Sequence, residues 1–288
     1  MLLLAVMWGL SIPLTKLGLL AVPPLTLTAM RFGVAVILLF AFALKGPRLP
    51  VRALPRTAAL GILGIGVGQV AQVFGIQDTA ASVATIISAT IPVFVVIFAA
   101  LRLKQSVTVR QQAGLLAAFA GIALVAFGHG QDAATLPSSM SGAAWILLSA
   151  VTIAFYYVWS VELTRDFGTV AVSAWSTLFG FLALLPWAGR EVWTTPVHLT
   201  AVSWAVALYL GIVVSVAGLF LWLHILRTVP APAAASVQYL QPVVGIVAAS
   251  AMFGDGLGML FGLGVVLILG GLALTVVPPR RARTMARD

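Results

Sequence analysis

The sequence predicts an all-α integral membrane protein with ten transmembrane helices, built from two inverted five-helix repeats. Three observations predict this fold: an apolar composition along the whole chain, basic residues confined to alternate loops, and a similarity between the two halves. Of the 288 residues, 61% are hydrophobic and 8% are charged, whereas a soluble domain carries about 25% charged residues. Such a composition cannot supply a water-facing surface. The chain also contains no cysteine, which excludes disulfides and thiolate metal sites.

The apolar residues fall into stretches of the length that a bilayer requires. A spanning helix needs about 20 mostly apolar residues. Division at charged or proline-rich breaks gives ten stretches, at residues 2–20, 24–44, 57–77, 80–101, 110–127, 140–161, 170–188, 200–226, 232–253 and 256–277. The first stretch has no basic segment before it and no small-residue cleavage site after it. We therefore expect it to be a helix and not a removed signal peptide.

Lysine and arginine are distributed unevenly between the predicted loops. Thirteen of the sixteen lie in the even-numbered loops and in the basic tail of residues 278–288, and only Arg190 lies in an odd-numbered loop. Cytoplasmic loops of membrane proteins carry such an excess. The pattern predicts a multi-pass protein of the cell inner membrane with both termini in the cytoplasm. It also explains the net charge of +9 without a nucleic-acid partner.

The two halves resemble each other when the chain is shifted by 150 residues. The matches include Leu60-Gly61-Ile62 with Leu210-Gly211-Ile212, Pro92 with Pro242, Gly114 with Gly264 and Gly121 with Gly271. Each unit holds five predicted spans, and an odd number makes the two units enter the membrane from opposite sides. We therefore divide the chain into a first repeat at residues 1–128, a second and inverted repeat at 140–277, and the tail.

Several motifs resemble the EamA-type ten-helix members of the drug/metabolite transporter superfamily. They are Trp8-Gly9 followed by Pro13, Arg31 in the second helix, and in each half a helix rich in Ala, Ser or Thr with a central proline. The resemblance implies a cavity between the halves, lined by helices 1, 3, 4, 6, 8 and 9. Within the superfamily, the chain is most similar to exporters of amino acids, including aromatic ones. The family often places Glu in the turn before the last helix of each half, where this chain has Lys104-Gln105 and Asp255.

Polar and aromatic residues deep in those helices are the candidate cavity residues. They are Trp8, Ser11, Gln69, Gln72, Ser88, Tyr156, Trp222, His224, Gln238, Tyr239 and Gln241. Each also has a structural interpretation, because Gln can join helices, Ser can bond its own helix, and aromatic residues can form interfacial belts. His224 can also simply lie at the cytoplasmic interface. Pro13, Pro92 and Pro242 are predicted to kink their helices and act as hinges.

Two cations fall inside predicted helices. Arg31 can neutralise a carboxylate of a substrate, but we expect it to bond carbonyl groups of neighbouring helices. Lys16 is expected to extend towards the interface. The seven acidic residues all lie away from predicted midplanes. This favours neutral or zwitterionic substrates and a facilitated or exchange mechanism, with His224 as the one candidate for proton coupling.

The predicted function is a secondary transporter that exports small metabolites, foremost neutral and aromatic amino acids, by alternating access. The expected partners are the small-molecule substrate and membrane lipid, with the protein a monomer or weak homodimer and no cofactor or metal. The alternatives are a multidrug or other metabolite exporter of the same fold, a channel, and a membrane-embedded enzyme. An enzyme would need His, Asp or Glu clustered at depth, which the predicted spans lack. The chain has no phosphate-binding loop for ATP hydrolysis.

Overall fold

The computed structural model describes residues 1–46, 48–103, 108–128, 139–228, 236–255 and 258–276. Within these ranges, the side chains of residues 103, 126–128, 226–228, 236–239 and 275–276 lie outside the description. All regular secondary structure in the described residues is helical. The prediction of an all-α protein is therefore confirmed.

The first half of the chain contains eight α-helices, a short 3₁₀ turn and a π-helical segment within its described residues. In order they are α1 (Leu2–Gly9), α2 (Ser11–Gly18), α3 (Pro24–Ala43), the 3₁₀ turn (Val51–Ala53), α4 (Leu54–Leu60), the π-helical segment π1 (Gly61–Val67), α5 (Gly68–Gln77), α6 (Ala81–Ser88), α7 (Ile91–Leu103) and α8 (Val109–Gly128). Consecutive segments join into longer rods, such as the one from Val51 to Gln77.

The second half has the same kind of organisation. Its described helices are α9 (Met140–Trp159), α10 (Val161–Phe167), α11 (Thr169–Thr194), α12 (Ala201–Leu208), the π-helical segment π2 (Tyr209–Ala217), α13 (Gly218–Thr228), α14 (Ser236–Phe253) and α15 (Met259–Val276). Each of the ten predicted stretches is thus helical where the chain is described. Helix α11 extends beyond the predicted 170–188, because Pro186 lies inside it without ending it.

Six rods are long and apolar enough to cross a membrane, judged by length and composition. They are Pro24–Ala43, Val51–Gln77, Ala81–Arg102, Met140–Trp159, Thr169–Thr194 and Ala201–Ile225. Four shorter apolar helices accompany them, at Leu2–Gly18, Val109–Val125, Leu240–Phe253 and Met259–Leu274. A chain with this many apolar helices is a multi-pass membrane protein.

Two of the three predicted proline hinges coincide with helix breaks. Pro13 has no N–H group to donate to the carbonyl of Gly9, and the first rod is interrupted between Gly9 and Ser11. In the same way, Pro92 follows the break between α6 and α7, four residues after Ser88. Pro242 differs, because α14 continues through it without interruption.

The two π-helical segments lie at matching places in the two halves. A shift of 150 residues places Gly61–Val67 on residues 211–217, and the segment observed there is Tyr209–Ala217. A π-helix bonds each N–H group to the carbonyl five residues earlier, and such segments are rare and occur frequently at functional sites. The shift of the sequence by 150 residues also matches Gly61 with Gly211. Gly61 begins π1, and Gly211 lies within π2.

Helices α8 and α15 approach each other closely through four glycines. A Cβ added to Gly121 would lie 2.7 Å from the carbonyl oxygen of Gly264, and one added to Gly271 would lie 2.4 Å from that of Gly114. The sequence shift pairs Gly114 with Gly264 and Gly121 with Gly271. Each contact is therefore the counterpart of the other, as expected where a two-fold axis relates two surfaces. Small residues also permit the backbone contact that membrane helices use for packing.

Helix α6 lies at the centre of the molecule. All eight of its residues are buried, and it contacts α2, α5, α8, α9 and α14. Val83, Ile86 and Ile87 are fully enclosed in the main apolar cluster, together with Ile146 and Ile268. Helix α6 is therefore part of the core against which these five helices pack.

Candidate functional site

The two ends of the helix bundle are named here after the residues that lie there. The Lys16 face carries Lys16, Asp78, Glu191 and Asp255, at the ends of α2, α5, α11 and α14. The Glu162 face carries Arg56, Arg102 and Glu162, at the start of α4, the end of α7 and in α10. Every described carboxylate lies at one of these two ends. The interior between them is therefore free of described acidic groups.

A polar pocket opens inside the bundle, in the half nearer the Lys16 face. It is lined by residues of four rods, namely Thr15, Leu27, Thr28, Arg31, Gln69, Gln72, Val73, Ile76 and Leu210. Its volume of about 10 Å³ accommodates on the order of one water molecule. Two predicted cavity residues, Gln69 and Gln72, line it. Its α3 wall was not expected, because the family resemblance assigned the cavity to other helices.

Arg31 is the charged group of this pocket. Arg31 lines the pocket and is half-buried. Nε donates to Oγ of Ser215 at 3.2 Å, and one terminal nitrogen donates to Oε1 of Gln69 at 3.1 Å. The expectation that Arg31 bonds carbonyl groups of neighbouring helices is met in part, because Gln69 accepts through its amide carbonyl and Ser215 accepts through a hydroxyl. No ion pair joins Arg31 to a carboxylate in the described part of the chain.

The π-helical segment π2 provides the Ser215 acceptor. Ser215 itself donates to the carbonyl of Leu210, five residues earlier, at 2.9 Å. Gly211, in the same segment, lies close to α3, where an added Cβ would be 2.9 Å from the carbonyl oxygen of Arg31. Helix α3 can approach only because position 211 has no side chain. The segment π2 therefore sets the distance to α3, through Gly211, and provides a partner for Arg31, through Ser215.

Trp8 joins the break in the first rod to π2. Its indole nitrogen donates to the carbonyl of Val214 at 3.2 Å, and the hydroxyl of Tyr209 donates to the carbonyl of Met7 at 3.0 Å. The Trp8 ring also lies 5.9 Å from that of Trp222, measured between centroids. Trp8 and Trp222, both predicted to line the cavity, thus pack against each other beside the break and are not among the residues that line the pocket.

Two predicted serines have different surroundings. Ser11 donates to the carbonyl of Trp8 at 2.7 Å, so its hydroxyl is satisfied by its own rod. Ser88 is buried, and its hydroxyl has no partner among the described residues. Ser82 and Ser149 are in the same condition. Such hydroxyls are costly in an apolar interior.

Three further predicted residues, Tyr156, His224 and Gln241, are not among those that line the pocket. Tyr156 packs against π1, where a Cβ added to Gly64 would lie 2.3 Å from the Cβ of Tyr156. His224 is exposed on the surface of α13. Gln241 lies where α14 crosses α1, with its carbonyl oxygen 2.7 Å from a Cβ added to Gly9. The side chains of Gln238 and Tyr239 fall outside the described residues.

The Lys16 face is closed by contacts between rods. The ammonium of Lys16 donates to the carbonyls of Ile76, Gln77 and Thr79 at 2.8, 2.8 and 2.9 Å. These three bonds use all its donors and satisfy carbonyls at the end of α5, which favours a cation there. Lys16, which was expected to extend towards the interface, thus caps the end of a neighbouring rod at this face.

Two carboxylates cap helices at the same face. Glu191 accepts from the backbone N–H groups of Leu25 and Thr26 at 3.3 and 2.7 Å, at the start of α3. Asp255 accepts from the backbone N–H of Ser82 at 2.9 Å, at the start of α6. An anion at a helix N-terminus satisfies free N–H groups and favours the helix dipole. Asp255 is the acidic residue noted in the turn before the last helix, and this contact gives it a structural role.

At the opposite end, Glu162 joins two arginines. Its carboxylate contacts Arg56 at 2.5 Å and Arg102 at 3.2 Å. The hydrogen bond from Arg56, followed by the charges of Arg56 and Arg102, lowers the pKa of Glu162 below its usual value. These side chains are substantially exposed, so the pairs are of modest strength. They nevertheless connect the starts and ends of three rods at the Glu162 face.

Comparison with known proteins places this architecture. The model of the EamA-like transporter family matches the chain twice, at residues 1–127 and 140–277. The chain belongs to this family. It is therefore a membrane transporter, and the two matches coincide with the two halves described above.

Individual relatives and a solved structure are consistent with the family. The chain is 27% identical to the inner membrane transporter YedA of Escherichia coli K12, over 95% of this chain and 88% of YedA. It is 29% identical to the "Probable terminal-alkyne amino-acid exporter" of Streptantibioticus cattleyicolor, over 87% of this chain and 83% of that exporter. It is 28% identical to the "Probable amino-acid metabolite efflux pump" of Salmonella typhimurium, over 98% of this chain and 95% of that pump. A crystal structure with 19% identity shares the fold with a TM-score of 0.63, over 94% of this chain and 93% of that one.

Proposed function

We propose that this EamA-family transporter exports small metabolites, foremost amino acids, across a cell inner membrane by alternating access. The observation that carries the proposal is the pocket itself, which holds a cation and several neutral polar groups inside an otherwise apolar bundle. Polar groups at such depth are expensive and line substrate pathways. Relatives named as exporters of amino acids or their metabolites cover most of the chain, which supports the substrate class.

The proposed architecture has ten spans in two inverted repeats. The reciprocal glycine contacts between α8 and α15 and the matching π segments support a two-fold relation between the halves. The long rods and shorter apolar helices together supply ten crossings. Two related halves can exchange their conformations, and this gives two states of similar energy that open to opposite sides.

The proposed orientation places the Glu162 face in the cytoplasm and the Lys16 face outside. The loops at the Glu162 face carry most of the lysine and arginine residues, as the positive-inside rule requires. Lys16, Glu191 and Asp255 then close the outer side. The conformation described here is, in this proposal, the outward-closed state of the transport cycle.

The proposed mechanism does not depend on a proton gradient. Described carboxylates lie only at the ends of the bundle, and His224 lies on an exposed helix surface away from the pocket. A proton-coupled carrier usually places a carboxylate or histidine along the substrate path. Movement of substrate down its own gradient, or in exchange for another, fits the pocket better.

Transport by the purified protein tests the proposal. Proteoliposomes would be supplied with each labelled L-amino acid, with and without a pH gradient, and compared with liposomes that lack the protein. We expect counterflow of at least one neutral or aromatic amino acid at a rate independent of the gradient. Absence of flux for every amino acid would refute the substrate class, and efflux of cationic dyes in its place would favour the multidrug alternative.

Thiol labelling tests the orientation. Because the chain contains no cysteine, a single cysteine can be introduced at Ser139, at the Lys16 face, or at Arg52, near the opposite face. We expect a membrane-impermeant maleimide added to intact cells to label the first variant and spare the second. The reverse pattern, or labelling of both, would refute the orientation.

A further inference from the structure

We infer that Arg31 is a substrate-binding residue whose guanidinium receives the carboxylate of a zwitterionic amino acid. This inference rests on the proposed function and assigns its substrate to the pocket between α2, α3, α5 and π2. The charge of Arg31, its unused donors and the acceptors that line the same pocket support this assignment.

The guanidinium of Arg31 lies 5.1 Å from the centroid of the Phe32 ring, but no anion among the described residues balances its charge. Its two bonded partners, Gln69 and Ser215, are neutral, and the described carboxylates pair or cap elsewhere, at the ends of the bundle. A guanidinium inside a membrane protein normally pairs with an anion or faces an aqueous cavity, because an isolated charge is costly there. A ligand that supplies a negative charge would remove this cost.

The guanidinium also retains donors with a suitable geometry. Arginine has five N–H donors, and only two of them have acceptors among the described residues. The three that remain lie on the two terminal nitrogens. A carboxylate binds such a pair of nitrogens through two parallel hydrogen bonds, which is the strongest neutralising contact available to arginine. Gln69 and Ser215 accept from the other two donors and so orient the group.

The opposite requirement, an acceptor for an ammonium group, is met by other residues of the pocket. The hydroxyls of Thr15 and Thr28 donate to the carbonyls of Ser11 and Pro24 at 2.7 and 2.8 Å. Since a hydroxyl has one hydrogen, each can only accept from a ligand. The amide of Gln72 has no partner among the described residues, and its oxygen is a further acceptor. The pocket therefore offers both donors and acceptors, as an α-amino acid requires.

The pocket is too small for an amino acid in the present conformation. Its volume of about 10 Å³ holds on the order of one water, so binding requires α3 or π2 to move apart from α5. The bonds from Arg31 to Gln69 and Ser215 link these elements. A substrate carboxylate that binds the free donors of Arg31 can compete with Gln69 and Ser215 for the guanidinium. This competition would weaken the link between α3, α5 and π2.

Competition in proteoliposomes tests this assignment. The best-transported labelled L-amino acid would be challenged with its own unlabelled form, with its carboxamide and with its deaminated acid. In the unmodified protein we expect the amino acid to compete at least about tenfold better than the carboxamide, as loss of a charge-assisted pair implies. Arg31→Gln is expected to remove this difference, whereas Arg165→Gln, at an exposed arginine, is expected to keep it. Gln72→Leu is also expected to keep the preference for the amino acid over its carboxamide. The same substitution is expected to weaken the preference for the amino acid over the deaminated acid.

The outcomes separate this inference from the function on which it rests. A monodisperse Arg31→Gln protein that still prefers the amino acid to its carboxamide would overturn the inference alone. If the Arg31→Gln protein does not fold, Gln72→Leu and Thr15→Val provide the test. An unchanged preference for the amino acid over the deaminated acid in both variants would overturn the assignment of a zwitterion to this pocket. Absence of amino-acid flux in the unmodified protein would overturn the proposed function, and the inference with it.

Discussion

The indole nitrogen of Trp8 donates to the carbonyl oxygen of Val214 at 3.2 Å, across 206 positions of the chain. This bond fastens the interrupted first rod to the π-helical segment of the eighth predicted span. The π winding and the missing side chain at Gly218, where a Cβ would lie 2.4 Å from that nitrogen, make room for the indole. Trp8 therefore connects the two irregular parts of the backbone that lie nearest the pocket.

The first prediction concerns this bond. Trp8→Phe keeps an aromatic ring beside Trp222 but removes the donor. We expect a loss of stability of about 0.5–1.5 kcal/mol and slower transport, measured as thermal unfolding in detergent and as counterflow. Trp222→Phe is the matched control, because no hydrogen bond of its indole is found among the described residues. Equal effects of the two substitutions would contradict the role of the bond.

The second prediction uses two adjacent glycines of α15. A Cβ at Gly271 would lie 2.4 Å from the carbonyl oxygen of Gly114, whereas one at Gly270 meets nothing within 4 Å. We expect Gly271→Ala to destabilise the protein by about 1–3 kcal/mol through overpacking. Gly270→Ala should stabilise it by about 0.5–1 kcal/mol, since alanine favours the helix. Unfolding in detergent measures both, and effects of the same sign would refute the close contact of α8 with α15.

The third prediction concerns closure of the Lys16 face. Lys16→Met removes three hydrogen bonds to α5 and the turn after it. We expect the pocket to open more often to that side. A single cysteine at Val73, which is buried in the pocket wall, would then react faster with an impermeant maleimide added from outside. Lys45→Met, at an exposed position, should leave the rate unchanged, and an unchanged rate in Lys16→Met would argue against a closing role.

The fourth prediction is a pH dependence at the Glu162 face. The hydrogen bond and charge of Arg56, with the charge of Arg102, lower the pKa of Glu162 in the folded protein. A lowered folded-state pKa gives stability that is present above the unfolded pKa and is lost as the pH falls through the folded pKa. Glu162→Gln should therefore lower the melting temperature slightly at about pH 7 and converge with the unmodified protein once the pH falls below the folded-state pKa of Glu162. Asp166→Asn is the control, and an offset that persists at acidic pH would contradict the assignment.

Hydropathy and proline positions predicted the helices well because both act locally. Each predicted stretch is helical where the chain is described, and the breaks before Pro13 and Pro92 follow from a missing N–H group. The uninterrupted helix at Pro242 shows that a proline alone does not decide a break. The packing of the neighbouring helix contributes as well, since Gln241 and Val244 press against Gly9.

The site was predicted only in part because its contacts join distant segments. Gln69 and Gln72 were identified from their depth in an apolar helix, but Thr15, Thr28 and Ser215 carried no local signal. The partners of Arg31 lie 38 and 184 positions away, and no periodicity in the sequence encodes that distance. The π winding that presents Ser215 is equally invisible, because its residues are ordinary helix formers or glycines.

The helix caps at the Lys16 face have a consequence for biogenesis. The free N–H groups that begin α3 and α6 belong to the first half, whereas the carboxylates that accept from them, Glu191 and Asp255, belong to the second. While the ribosome is still synthesising the later helices, the early ones wait in the translocon or the lipid with their starts uncapped. The amino-terminal half therefore reaches its final arrangement only after nearly the whole chain has been inserted.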